Sequence, residues 1–259
     1  MIMKISFEQS DGVGVITLNS PPANAYDTDR LRELADIITN IRRDDAVRVV
    51  VIRSALEKFF SAGADISTLQ TSNNASFANL LIVAHETMDM IAHTPKIFIA
   101  AVAGHCIGGG LELALACDLR FGAEGKYGIG LGEINLGLNP AMGGTQRLPR
   151  LIQRSRALHL MITGETIKPD VAHQWGILDR LFPADVFMTQ VMGYAGKLAK
   201  GPSLAQGYAK LSLNEGLESS LAVGLTLERA HQNLLFNSED AREGVKAFLE
   251  KRPAQFKGR

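Results

Sequence analysis

With 259 residues, 46% of them apolar and 21% charged, the chain is long enough to bury the core of one large α/β domain or two small ones. Its 27 basic residues balance 27 acidic ones, so no global field favours nucleic acid or an anionic membrane, and neither partner is expected. No apolar run reaches the roughly 18 to 20 residues of a membrane span, and Cys106 and Cys117 lack the spacing of a redox or zinc site.

The opening M-I-M-K-I-S-F-E-Q alternates like a strand and lacks the basic-then-apolar order of a signal peptide. A cytoplasmic protein, or a mature form already trimmed, is the expectation. Residues 3–9 and 13–19 read as two strands joined by Ser10-Asp11-Gly12, which is hairpin chemistry, and Pro21-Pro22 ends that segment. Residues 27–43 carry Leu31, Leu34, Ile37, Ile38 and Ile41 at helical spacing, and 47–53 is a buried strand. Strand, helix and strand in that order imply crossover connections and a parallel sheet covered by helices.

The turn F-F-S-A-G-A-D-I, 59–66, interrupts the apolar pattern ahead of a short helix ending near Leu69, a polar loop at 71–74 and a helix over 76–93. Next comes the stretch around which the chain is organised. Residues 97–103 are a strand buried on both faces, and Gly108-Gly109-Gly110 then open a helix that reaches Ala116. Three adjacent glycines serve conformational freedom or close approach of the backbone, here at a helix N-terminus suited to a negative charge. Glu112 sits in that first turn between Leu111 and Leu113, either complementing the helix dipole or doing chemistry.

After a strand at 118–123, six glycines between Gly128 and Gly144 rule out one regular element and suggest backbone wrapped around a cavity. This loop carries a second isolated carboxylate, Glu133, a surface residue unless a partner is found. From Thr145 onward helices are expected at 146–153, 155–161, 169–173, 184–198, 203–214, 219–236 and 239–250, with 176–183 strand-like. The order suggests a core over 1–195 and a helical region over 196–259. There is no internal repeat in the sequence.

Taken together, the A-G-A-D turn, the glycine hinge, the loop G-E-I-N-L-G-L-N-P-A-M-G-G-T-Q-R-L and the terminal A-F-L-E-K-R-P-A-Q-F closely resemble the enoyl-CoA hydratase/isomerase, or crotonase, superfamily over essentially the whole chain. That resemblance implies an α/β fold, a spiral of repeated β-β-α units with a C-terminal helical region that builds a homotrimer or homohexamer. It also implies an acyl-CoA substrate and an oxyanion hole of two backbone N–H groups, carried over to Ala64 and Gly109. An enolate oxygen held there gains an effect typically worth about 3 to 4 kcal/mol per donor.

Hydratases of this superfamily use two glutamates, and Glu112 and Glu133 match both positions. One carboxylate orients and deprotonates water for attack at C3; the other exchanges a proton with C2. The resemblance assigns the water to Glu112 and the C2 proton to Glu133. It places pantetheine and adenine near Lys58, Ala62, Asp65 and Ile66, with Phe248 and Lys251 reaching in from a neighbouring subunit. Three departures stand out: Gly132 where proline is usual, N-P-A-M at 139–142 where I-P-G-A is commoner, and Ser67 where lysine is frequent.

No cofactor is expected beyond the coenzyme A of the substrate, and no metal-ligand cluster is present in the sequence. His105 reads as a satisfied structural histidine, and Arg147, Arg150, Arg154 and Arg156 as a solvated or subunit-contact face. The alternatives are an enoyl-CoA isomerase, a hydratase of a branched or dicarboxylic acyl-CoA, and an RNA-binding protein on a hydratase-like body, against which the zero net charge argues.

Overall fold

The computed structural model describes residues 4–259. The strands are β1 (Ile5–Ser10), β2 (Val13–Leu18), β3 (Val49–Ser54), β4 (Phe59–Ser61), β5 (Ile97–Val102), β6 (His105–Ile107), β7 (Leu119–Ala123), β8 (Ile129–Gly130) and β9 (Arg180–Phe182). The helices are α1 (Thr28–Arg43), α2 (Ile66–Thr71), α3 (Asn74–His93), α4 (Gly109–Ala116), α5 (Gly144–Leu151), α6 (Arg154–Thr163), α7 (Pro169–Trp175), α8 (Phe187–Ala199), α9 (Ser203–Leu217), α10 (Leu221–Phe236) and α11 (Glu239–Leu249). The expected strand over 3–9 begins at Ile5, and its first residue lies outside the described residues.

Two sheets share the chain. The larger runs β1-β2-β3-β5-β7-β9 and is parallel except for the β1–β2 hairpin; the smaller runs β4-β6-β8 and is parallel throughout. Three times the chain lays a strand in the large sheet and the next in the small one: β3 then β4, β5 then β6, β7 then β8. This is the β-β-α spiral, repeated in structure though not in sequence. The small sheet is the main correction to the sequence reading, which saw none of its strands.

The central strands of the large sheet are buried on both faces because residues 49–52 of β3 and 98–102 of β5 are apolar at every position. Val49, Val51, Ile99, Phe121 and Ala123 face α8, meeting Phe187, Val191 and Ala195; Val50, Ile52, Phe98 and Ala100 face the core shared with α1, α3 and α4. The loops at the ends of the small strands therefore converge beside the N-terminus of α4.

A buried ion pair pins α9 to the core. Lys210 of α9 donates to Asp118 Oδ2 at 2.9 Å and to the carbonyls of Ile91 and Lys96, while Phe98 N–H donates to the same Asp118 oxygen at 2.7 Å. Beyond that anchor α10 buries none of its residues, and Leu221, Leu234 and Phe236 are among its exposed apolar side chains. No helix among the described residues is long and apolar enough to cross a membrane.

Candidate active site

Glu112 is positioned by the glycine hinge. Gly108 caps α4 with φ +56°, a left-handed conformation open to glycine, and turns the chain from β6 directly into the helix. Gly109 and Gly110 serve a different purpose. A Cβ at Gly110 would lie 2.2 Å from Ser61 O, and one at Gly109 would lie 3.2 Å from Gly63 Cα, so their need is close backbone approach.

That approach brings the two expected N–H donors together. Tyr26 N–H donates to Gly63 O at 2.7 Å and Asp65 N–H to Tyr26 O at 2.8 Å; these bonds straddle Ala64 and leave its N–H turned away from Tyr26. Gly109, as the first residue of α4, has no intrahelical acceptor for its N–H. A Cβ built on Gly109 would sit 3.7 Å from Ala64 N.

Both groups line a cavity of about 150 Å³, and so do Glu112 and Glu133. Its remaining wall is mostly apolar, with Leu31, Leu69, Phe77, Leu80 and Leu81 from α1, α2 and α3, and Leu136, Leu138 and Met142 from the glycine-rich loop; Tyr26 and Asn139 are its polar members. Among the described residues, no basic side chain lines it.

The two carboxylates have different surroundings. Glu112 is buried, and its Oε1 accepts from Met142 N–H at 2.8 Å and Gly144 N–H at 2.7 Å. Burial raises its carboxyl above the usual range, and those two donors oppose the rise. Glu133 opens the 3₁₀ turn Glu133–Leu136, and its Oε2 has no hydrogen-bond partner among the described residues. Burial, with the Glu112 charge second, pushes its carboxyl up to about 7. Glu112 is thus held as the readier anion and Glu133 as the readier acid.

Glycine makes room for both. A Cβ on Gly144 would lie 2.9 Å from Glu112 Oε1, and one on Gly108 would lie 2.7 Å from Glu133 Oε1.

Of the other expected contacts, Ala62 and Ile66 line the cavity, Ile66 exposed at its mouth. Asp65 is occupied as the cap of α2, accepting from the N–H groups of Ser67 and Thr68 and from the Ser67 hydroxyl. Lys58, Phe248 and Lys251 are exposed and lie outside the cavity of the single chain. His105 Nδ1 accepts from Gly128 N–H at 3.0 Å and has the structural part expected of it.

Arg147 departs from the sequence reading. It pairs with Asp89 at 2.9 Å and donates to Met142 O at 3.1 Å, so it braces the loop that holds Glu112 and is no merely solvated charge. Met142 and Gly144, as donors to Glu112, were also missed. Their only sequence signal was the adjacent pair Gly143-Gly144, where a backbone can reach a buried group.

The model of the family described as enoyl-CoA hydratase/isomerase matches residues 8–259. The chain belongs to that family. It is 34% identical over 253 residues to a crotonyl-CoA hydratase of Syntrophomonas wolfei, covering 97% of each chain. It is 37% identical over 246 residues to the 2,3-dehydroadipyl-CoA hydratase of Escherichia coli, covering 95% of each. A solved enoyl-CoA hydratase structure from Geobacillus kaustophilus superposes with a TM-score of 0.98 at 43% identity, covering 100% of this chain and 98% of that one. The spiral fold expected of an enoyl-CoA hydratase/isomerase family member is therefore present from end to end.

Proposed function

We propose that this enzyme adds water reversibly to trans-2-enoyl-CoA to give 3-hydroxyacyl-CoA. The observation that carries the reading is the pair of carboxylates, Glu112 and Glu133, lining one cavity with the N–H groups of Ala64 and Gly109. The thioester oxygen takes both N–H groups, which favour the charge that gathers on it as C3 is attacked. Glu112, as the anion, removes a proton from water as its oxygen bonds to C3; Glu133, as the acid, gives its proton to C2. Reversal returns both protons, so hydration and dehydration use the same pair. One C–O bond and two proton transfers complete the reaction, a proton passing from Glu112 back to Glu133 through solvent resets the pair, and no cofactor beyond the coenzyme A of the substrate is called for.

The apolar wall favours a hydrocarbon acyl group. A terminal carboxylate, such as the name of the E. coli relative implies for its own substrate, would be buried here without a cationic partner. Two carboxylates favour hydration over isomerisation, which can be served by one. Lys58 and, from a neighbouring subunit, Phe248 and Lys251 remain the proposed contacts of the coenzyme A portion. Assembly as a trimer or hexamer through the region 196–259 belongs to the same proposal. The test is loss of enoyl-thioester ultraviolet absorbance from crotonyl-CoA, with 3-hydroxybutyryl-CoA identified chromatographically; a 3-enoyl-CoA consumed in preference would point to isomerisation instead.

A further inference from the structure

The turn that supplies the donors to Glu112 is itself held from outside the cavity. The carbonyl of the Ala141–Met142 peptide accepts a hydrogen bond from His85 Nε2 at 2.6 Å, and the N–H of that same peptide donates to Glu112 Oε1 at 2.8 Å. A carbonyl can only accept, so His85 carries its proton on Nε2. One peptide group thus stands between an imidazole and the Glu112 carboxylate, each bond strengthening the other through the peptide dipole.

The next peptide is gripped as well. Met142 O accepts from Arg147 at 3.1 Å, and Arg147 is fixed by Asp89 at 2.9 Å. His85 and Asp89 are four residues apart, so one face of α3 supplies both struts. The turn needs them, because Gly143 at φ +111° and Gly144 leave its backbone with little stiffness of its own.

We propose that His85 is a positioning residue for the hydration step: it orients the Ala141–Met142 peptide so that Met142 N–H stays aimed at Glu112. The inference rests on the hydratase reading for the chemistry but not for the geometry. His85 is exposed and lies outside the cavity lining, so its hydrogen bond reaches Glu112 through the turn. It also joins the two ends of the site mechanically, since Phe77, Leu80 and Leu81, earlier on the same helix, form the apolar wall.

The test compares wild type, His85→Ala and His85→Gln by hydrogen–deuterium exchange of the full-length protein and by crotonyl-CoA kinetics. In His85→Ala, amide exchange over 138–146 rises about 5-fold, the worth of one hydrogen bond, while α3 and α4 exchange as before. Its kcat falls about 5- to 20-fold with KM within about twofold, because the carboxylate loses its aim and the apolar wall is intact. His85→Gln, which keeps an N–H donor of similar reach, recovers both readouts. Unchanged exchange in the turn of His85→Ala overturns the proposal, as does a kcat loss that His85→Gln does not restore. Wild-type protein that fails to hydrate crotonyl-CoA counts against the hydratase reading alone, since exchange still decides the role of His85.

Discussion

Gly144 touches Glu112 twice over: its N–H donates to Glu112 Oε1 at 2.7 Å, and a Cβ in its place would stand 2.9 Å from that same oxygen. The residue has an ordinary helical backbone at the first position of α5, where alanine is at least as favourable as glycine. Gly144→Ala therefore tests space alone. We expect a folded protein whose kcat falls about 10- to 100-fold, because a carboxylate displaced by a fraction of an ångström loses its alignment with water. Circular dichroism and initial rates on crotonyl-CoA check it.

The pH dependence follows from the same pair. On the proposed mechanism the active form holds one proton on the dyad, and the two groups are expected to titrate as a unit. With Glu133 pushed up to about 7, that proton is lost above about pH 7, and kcat/KM falls about tenfold per pH unit beyond it. Because hydration and dehydration start from the same protonation count, both directions share the profile. An alkaline limb that persists in Glu133→Gln contradicts the assignment.

Stability moves in the opposite sense from the usual carboxylate. The folded-state value for Glu133 is raised, so the native state binds more protons than the unfolded chain between about 4.5 and 7, and its stability declines as pH rises through that window. Glu133→Gln removes the buried charge. At pH 8 the variant is expected to be more stable by about 1 kcal/mol, roughly 2 to 4 °C in Tm, after discounting for partial solvent access. Calorimetry at pH 8 and pH 4 checks it, the gap closing at the lower value.

Assembly is predicted from α10, which packs on α9 but fully buries none of its own residues and exposes Leu221, Leu225, Leu234 and Phe236. An apolar surface of that extent is unusual for a monomer. Light scattering at micromolar concentration is expected to give three or six chain masses. Leu221→Glu with Leu225→Glu is expected to lower the assembly state.

How much of this was legible depended on length and on what each residue touches. The central strands β3 and β5 announce themselves as apolar runs of four to six residues, and Glu112 and Glu133 stand out as carboxylates among glycines. Phe59–Ser61, His105–Ile107 and Ile129–Gly130 do not, because two or three residues cannot display a period and tertiary pairing alone makes them strands. The hinge was legible as a place, not in detail. All three of its glycines looked available for unusual backbone, yet only Gly108 uses a positive φ, while Gly109 and Gly110 answer to contacts far away in sequence. Arg147 and His85 were hidden for a related reason: each acts on a peptide carbonyl, and no side-chain pattern marks a carbonyl.

Gly109→Val probes the hole that Gly109 is proposed to form with Ala64. The added side chain meets Met142 Sδ at 2.9 Å from its Cβ and lies against Gly63 and the Ala64 N–H. Turnover is expected to fall by about 10² or more, and a bound enoyl thioester to show a smaller Raman or ultraviolet red shift than in wild type. An unchanged red shift in folded protein contradicts the part given to Gly109.

The most direct test of the account is the turnover of Glu112→Gln and Glu133→Gln on crotonyl-CoA beside wild type, with acyl-CoA binding followed by calorimetry. Each substitution keeps the size of the side chain and removes its acid-base function, so kcat should fall by about 10² to 10⁴ while binding persists. If either variant binds acyl-CoA and turns it over at close to the wild-type rate, the two-carboxylate mechanism is wrong.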